Sequence, residues 1–146
     1  NHSPMGYAVP AALGASCAAP GRPIVVLTGD GAFNLNAQEL GAIERWGTSV
    51  LVVVFNNGGF GIIRQTQDTW LEGRHYASSP NGDLFLGDPY LIAAAYGMPA
   101  LKVNRLSEPV EWERAFYSPR PTLVDIIIDP GAIIAPKLSR GALETI

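Results

Sequence analysis

The run Ile24-Val25-Val26-Leu27-Thr28 ends directly at Gly29-Asp30-Gly31, and the run Val50-Leu51-Val52-Val53-Val54-Phe55 ends directly at Asn56-Asn57. Unbroken β-branched and aliphatic runs of this length, with a helical pattern between them, read as parallel strands buried on both faces. The carboxyl ends of such strands form the rim where an open α/β sheet binds its ligand. One carboxylate and one carboxamide are therefore delivered to the same rim. Asn57 lies 27 positions beyond Asp30, enough for a crossover helix and a return strand.

Those two groups suit a hard cation that holds a diphosphate. Mg²⁺ takes oxygen ligands in near-octahedral geometry, one or two from side chains and the rest from phosphate, carbonyl and water. Asp30 brings charge and Asn57 a neutral oxygen. Glycines at 29, 31, 58, 59 and 61 let backbone approach a ligand closely. Either segment alone reads better as a turn, since Asn, Asp and Gly dominate turns. Together, at consecutive strand ends, they point to a metal-diphosphate site.

The pair resembles the thiamine diphosphate motif, GDG followed by a helix, a strand and NN, and most of all the acetolactate synthase (acetohydroxyacid synthase) large-subunit group. Met5-Gly6-Tyr7-Ala8-Val9-Pro10-Ala11-Ala12-Leu13-Gly14-Ala15 resembles the helix that precedes GDG in that family, and Pro121 to Pro130 resembles its last strand. The resemblance spans essentially the whole chain but only the family's C-terminal, diphosphate-binding domain. It implies a doubly wound α/β fold with a mostly parallel sheet flanked by helices. It also implies thiamine diphosphate and Mg²⁺ as cofactors, with Asp30, the Asn57 side chain and the Gly59 carbonyl on the metal. Gly29, Gly31, Ala32, Phe60, Gly61 and Ile62 would line the diphosphate and thiazolium side, with the N–H groups of Gly31 and Ala32 meeting phosphate. Met5 would sit under the cofactor and force its rings into a V, while backbone near Ser3 and Met5 bonds the aminopyrimidine. Without the resemblance, Met5 reads as a core filler.

At 146 residues, 47% hydrophobic and 16% charged, the chain is one domain able to bury a real core. A net charge of −3 and a pI near 5.3 argue against nucleic acid or a membrane surface as partner. No apolar run reaches the length of a membrane span. The single cysteine, Cys17, fits a reducing cytoplasm and reads as a buried structural thiol. The chain starts at Asn1 with no initiating Met, which is expected of a fragment or of one chain of a processed or split protein.

Residues 4–19, rich in Ala and Gly, read as a buried helix that kinks or begins near Pro10. Asn36 with Glu39 three places on predicts an N-cap and capping box for a helix carrying Leu40, Ile43 and Trp46, stopped at Gly47. The glycines after Asn57 do not follow the GxGxxG pattern of a dinucleotide loop. Ile62 to Leu71 predicts a further helix. There the resembling enzymes carry a tryptophan associated with choosing the acceptor ketoacid; here Thr66 stands in its place, which opens space, adds a hydroxyl and leaves the acceptor undecided. Residues 72–87 read as a surface loop or lid, with His75, like His2, solvated or structural.

Asp88-Pro89 predicts a clean helix start whose apolar face is Leu91, Ile92, Ala95 and Tyr96. Then come a strand at 101–103, a helix from Ser107-Glu108-Pro109 carrying Val110, Ala115 and Phe116 with Trp112 off its face, and a strand at 122–128. The predicted division is a thiamine diphosphate- and Mg-binding domain at 1–130 and a C-terminal tail at 131–146, its only apolar period being Leu138 and Leu143. In related enzymes such a tail wraps over the active site or a partner domain.

The implied reaction is decarboxylation of a 2-ketoacid such as pyruvate and ligation of the two-carbon unit to an acceptor carbonyl, transferase or lyase chemistry. A subunit of a ketoacid decarboxylase, a non-catalytic relic and an unrelated Mg-phosphate-binding α/β protein are the alternatives. In the family the glutamate that activates the cofactor comes from a pyrimidine-binding domain or subunit. Glu39, Glu44 and Glu72 do not match it. The chain is thus expected to need that partner, in a homo- or hetero-oligomer.

Overall fold

The computed structural model describes residues 2–104 and 109–135. Helix α1 (Ala8–Ala18) leads to strand β1 (Ile24–Gly29), then α2 (Asp30–Leu35), a 3-10 turn at Ala37–Glu39, and α3 (Leu40–Trp46). Strand β2 (Val50–Asn56) is followed by α4 (Gly61–Trp70), α5 (Pro89–Ala95), β3 (Ala100–Val103), α6 (Pro109–Phe116) and β4 (Thr122–Ile127). All pairings are parallel, in the order β1-β2-β4-β3.

That order follows from handedness. The chain advances across the sheet from β1 to β2 and on to β3, then steps back to β4. Right-handed crossovers put helices on one face during the advance and on the other during the return. Accordingly α1, α2, α3 and α5 pack on one face, with Phe33, Leu40, Ile43 and Ala93 against Val26, Val52, Val54 and Leu123. Helix α6 packs on the other, with Ala115 against Val103, Val124 and Ile126. The sheet is doubly wound, as expected.

Strand β2 is buried along Val50–Val54 on both faces, as its sequence predicts. Strand β1 is not. Val26 and Thr28 are buried, but Val25 and Leu27 are 51% and 63% exposed. The reason is position: β1 is the sheet edge, and α6, the helix on that second face, packs over β3 and β4.

Local chemistry explains several boundaries. Pro10 is the third residue of α1, inside the first turn, where an N–H has no acceptor within the helix; no kink is required. Val9 and Ala12 are the buried residues of α1, so it buries a stripe and is not a fully buried helix. Cys17 lies beyond that stripe and is exposed, which corrects the expectation of a buried thiol. The predicted capping box also fails. Asn36 makes no side-chain cap; its Nδ2 donates to the Gly6 carbonyl at 2.9 Å, and its Oδ1 accepts from Gln38. Gly47 ends α3 in the left-handed conformation, as predicted.

Asp88 caps α5 by accepting from the N–H groups of Tyr90 and Leu91, with Pro89 at the first position. The buried face of α5 is Pro89 and Ala93 with Ile92 part-buried; Leu91, Ala95 and Tyr96 are exposed. A seven-residue helix approaching the sheet through Ala93 leaves its larger side chains outside. In α6, Ala115 is buried and Phe116 exposed. The expected start at Ser107-Glu108, the Val110 and Trp112 side chains, and the Leu138–Leu143 period lie outside the described residues.

Candidate cofactor and metal site

Both motif segments end at one rim. Gly29 pairs with Phe55, and Asn56 with Ile127, so the chain leaves β1, β2 and β4 at neighbouring points. Asp30 is the first residue of α2 and is 3% exposed. Its Oδ2 accepts the Gly59 N–H at 2.8 Å, tying the GDG turn to the NNGG loop. Burial pushes the Asp30 carboxyl above its ordinary value, against the pull of the N–H groups of Gly59, Gly31 and Gly58 around it.

The two asparagines divide the work. Asn56 faces inward, donating from Nδ2 to Asp125 Oδ1 at 3.0 Å and accepting the Gly58 N–H on its Oδ1 at 3.2 Å. Asp125, fully buried on β4, thereby orients the start of the loop; burial raises its carboxyl above the ordinary value, opposed by Asn56 and Lys102. Asn57 Oδ1 is buried with no hydrogen-bond partner among the described residues. A buried amide oxygen without a donor costs roughly 1–3 kcal/mol, and a cation would relieve that cost.

The glycines are there for space. A Cβ on Gly31 would overlap the Phe60 ring, and one on Gly59 would overlap the Ser78 carbonyl. Phe60 is itself fixed by its N–H donating to Ser78 O at 3.0 Å. Thus part of the segment at 72–87 is not a surface loop: Ser78 is fully buried, and Gln67 holds it by accepting its hydroxyl and donating to the Tyr76 carbonyl.

The ten residues that the resemblance assigns to the metal, the diphosphate and the ring wall line one cleft of about 520 Å³: Met5, Gly29, Asp30, Gly31, Ala32, Asn57, Gly59, Phe60, Gly61 and Ile62; Ser3 and Gly58 do not line it. Ile63, Ile128, Ile133 and Ile134 extend its apolar wall. Asn36, by holding Gly6, fixes the turn beside Met5. Thr66 is exposed, its hydroxyl donates back to the Ile62 carbonyl at 3.0 Å, and it does not line this cleft. A second cleft of about 430 Å³ shares Asn57, Gly61, Gln65, Ala132 and Ile133 with the first and contains Arg64, Asp68, His75 and Ser79. There His75 Nε2 lies 2.6 Å from Asp68 Oδ1, whereas the buried Ser79 hydroxyl has no hydrogen-bond partner among the described residues. Ser79 is therefore out of reach of a base, and the trio is no nucleophilic triad.

Sequence reasoning gave no role to Arg64, Ser78, Asp125 or the Asn56 side chain. A signal existed for Arg64 and Gln67, polar side chains three apart that α4 turns inward. For Asp125, an acid inside the otherwise apolar run at 122–128 was the clue.

The donor set is one carboxylate, one amide oxygen and backbone on a glycine loop. Among the described residues no group of three or more His, Cys, Asp or Glu could hold a metal. Such a sparse, all-oxygen set fits Mg²⁺ completed by phosphate and water, and not a protein-enclosed zinc site. A family described as "Thiamine pyrophosphate enzyme, C-terminal TPP binding domain" matches residues 1–126. The chain belongs to that family.

This thiamine pyrophosphate (thiamine diphosphate) binding domain is 35% identical over 140 residues to an acetolactate synthase large subunit of Parasynechococcus marenigrum. It is also 35% identical over 144 residues to the isozyme 3 large subunit of Escherichia coli. Each match covers 94% of this chain but only 22% and 24% of those proteins. A solved thiamine diphosphate-dependent 4-hydroxybenzoylformate decarboxylase of Rhodococcus jostii superposes with a TM-score of 0.75 at 25% identity, covering 86% of this chain and 23% of that one. The usual partner metal of such a domain is Mg²⁺. Among the described residues no helix is long and apolar enough to cross a membrane.

Proposed function

We propose that this chain, residues 1–130 with a tail at 131–146, is the cofactor- and Mg²⁺-binding part of an acetolactate synthase-like enzyme. That enzyme decarboxylates a 2-ketoacid, pyruvate by preference, and joins the two-carbon unit to an acceptor carbonyl. The observation that carries the reading is Asn57 Oδ1, buried, without a donor among the described residues, and on the same cleft as the Asp30 carboxylate.

Asp30, the Asn57 side chain and the Gly59 carbonyl hold the metal. Gly29, Gly31 and Ala32 admit the diphosphate, and the N–H groups of Gly31 and Ala32, in the first turn of α2, have no carbonyl acceptors within the helix and can serve its oxygens. Met5, Phe60, Gly61 and Ile62 form the apolar wall that would receive the cofactor rings. Thiamine diphosphate, when bound, would supply the electron sink that decarboxylation and ligation both need. Ile62, Ile133 and Ile134 are exposed in this chain and give the cleft an apolar wall that a partner domain would close against water. The activating glutamate comes from a pyrimidine-binding domain or subunit, so the site is completed at an interface, in the cytoplasm, and this chain alone turns nothing over.

The test is calorimetric titration of thiamine diphosphate with Mg²⁺ into the chain, alone and with pyrimidine-domain partners. Binding should appear with a partner and vanish in Asp30→Ala. A folded chain that binds in no combination would overturn the reading. Likeness to a solved decarboxylase supports a second outcome. Pyruvate converted to acetaldehyde without any acetolactate would select simple decarboxylation.

A further inference from the structure

Arg64 is 8% exposed on α4, and no carboxylate among the described residues lies within ion-pair distance of it. Its guanidinium is spent on carbonyls. Nη2 donates to Asn57 O at 3.1 Å and to Pro130 O at 3.0 Å, and Nη1 reaches Gly58 O at 3.5 Å. Carbonyl oxygens satisfy the N–H groups of a buried cation but leave its charge uncompensated. A buried guanidinium in that condition belongs beside an anion.

The place it occupies is informative. Asn57 is held from both ends: Asn56, oriented by Asp125, sets where the loop begins, and Arg64 grips its carbonyl and the next one. Gly61 lies between them, with no room for a Cβ because it would overlap Asn57 Nδ2. The amide of Asn57 is thus confined, with its Oδ1 left unpaired at the cleft. The same guanidinium reaches Pro130, in the turn that follows β4, and so joins the loop to the segment that brings Ile133 and Ile134 to the cleft wall. Only a planar fork can serve three carbonyls from two elements; a lysine ammonium at this depth lacks the span.

We propose that Arg64 is a positioning residue of the metal-diphosphate end of the site. It fixes the Asn57-Gly58 loop so that Asn57 Oδ1 meets the cation, and its buried charge, on the adjoining cleft behind that loop, offsets part of the negative charge of the diphosphate. This rests on the cofactor reading above. The anion is the diphosphate of the cofactor, and the positioned ligand is the oxygen of Asn57.

The test uses the chain with its pyrimidine-domain partner and reads the Mg²⁺ concentration that half-saturates thiamine diphosphate binding by calorimetry, beside the melting temperature of the metal-free chain. Arg64→Met should raise the Mg²⁺ requirement about tenfold or more, as loss of an outer partner of a metal ligand does. Arg64→Lys, which keeps the charge and loses the fork, should fall between Arg64→Met and the unaltered chain. An unchanged Mg²⁺ requirement in Arg64→Met, whether or not its melting temperature drops, overturns the proposal. If Arg64→Met does not fold, Arg64→Lys decides, and a requirement equal to that of the unaltered chain overturns it. Failure of the cofactor reading looks different: the unaltered chain itself binds nothing, and Asp30→Ala changes nothing.

Discussion

The Asp30 carboxylate accepts the Gly59 N–H at 2.8 Å, joining the end of β1 to the loop after β2 across 29 residues of sequence. This one bond makes the two halves of the motif a single site. It also places a carboxylate in a buried position where its charge is expensive without a counter-ion.

Burial raises the Asp30 carboxyl, so over the interval between 3.8 and its native value the folded chain binds more protons than the unfolded one. Stability from this group therefore falls as pH rises through that interval. Asp30→Asn, which keeps an oxygen for Gly59, should raise the melting temperature of the metal-free chain at pH 7. It should also abolish the stabilisation by Mg²⁺ with thiamine diphosphate. In the unaltered chain, Mg²⁺ affinity should drop as pH falls through the raised value, because protons compete for the same oxygen. Thermal melts across pH, with and without Mg²⁺, check all three.

Gly31→Ala would drive a methyl into the Phe60 ring. Overpacking of this kind costs about 1–3 kcal/mol. The double variant Gly31→Ala/Phe60→Ala should recover part of the loss, since the obstruction is gone. Urea denaturation of the singles and the double measures the coupling; strict additivity would refute the clash.

Asp88 serves as the cap of α5 and as the partner of Lys102, with Nζ at 2.7 Å. Burial pushes its carboxyl up, but Lys102 and the N–H groups of Leu91 and Tyr90 together bring it below the ordinary value. Its contribution is therefore present above pH 3.8 and lost as pH falls through the native value. Asp88→Ala should cost about 1 kcal/mol at pH 7, mainly the cap. The difference from the unaltered chain should shrink in acid, which a denaturation series can follow.

Leu27 on β1 and Leu123 on β4 are both strand leucines, yet one is 63% exposed and the other fully buried. Leu27→Thr should change the stability of the isolated chain by no more than about 0.5 kcal/mol. Leu123→Ala should cost about 2–5 kcal/mol. Comparable losses at the two positions would show that β1 has cover on its second face.

Asn36→Ala removes the bond to the Gly6 carbonyl without removing a helix cap. We expect thiamine diphosphate affinity to fall through a loosened turn at Met5, while helix content by circular dichroism stays unchanged. Loss of helix content instead would restore the capping role.

Local pattern alone specified the strands, their parallel sense and the rim. Uninterrupted aliphatic runs ending in GDG and NN leave few other readings, because backbone and hydrophobic pattern are local and periodic. It also specified Asp88-Pro89 as a helix start and Gly47 as a helix stop, each being chemistry among near neighbours. Whatever depends on residues distant in the chain came from the three-dimensional arrangement. Val25 and Leu27 on β1 look identical in pattern to Leu51 and Val53 on β2, but strand order puts them at an edge that α6 does not reach. Asn36 carries a cap signature, yet Gly6, thirty residues away, offers its side chain a carbonyl. Arg64, Ser78 and Asp125 carry no motif at all; they matter because the fold brings them beneath the loop of Asn57, and hydrogen bonds between elements are invisible to a reading in which only neighbours in sequence interact.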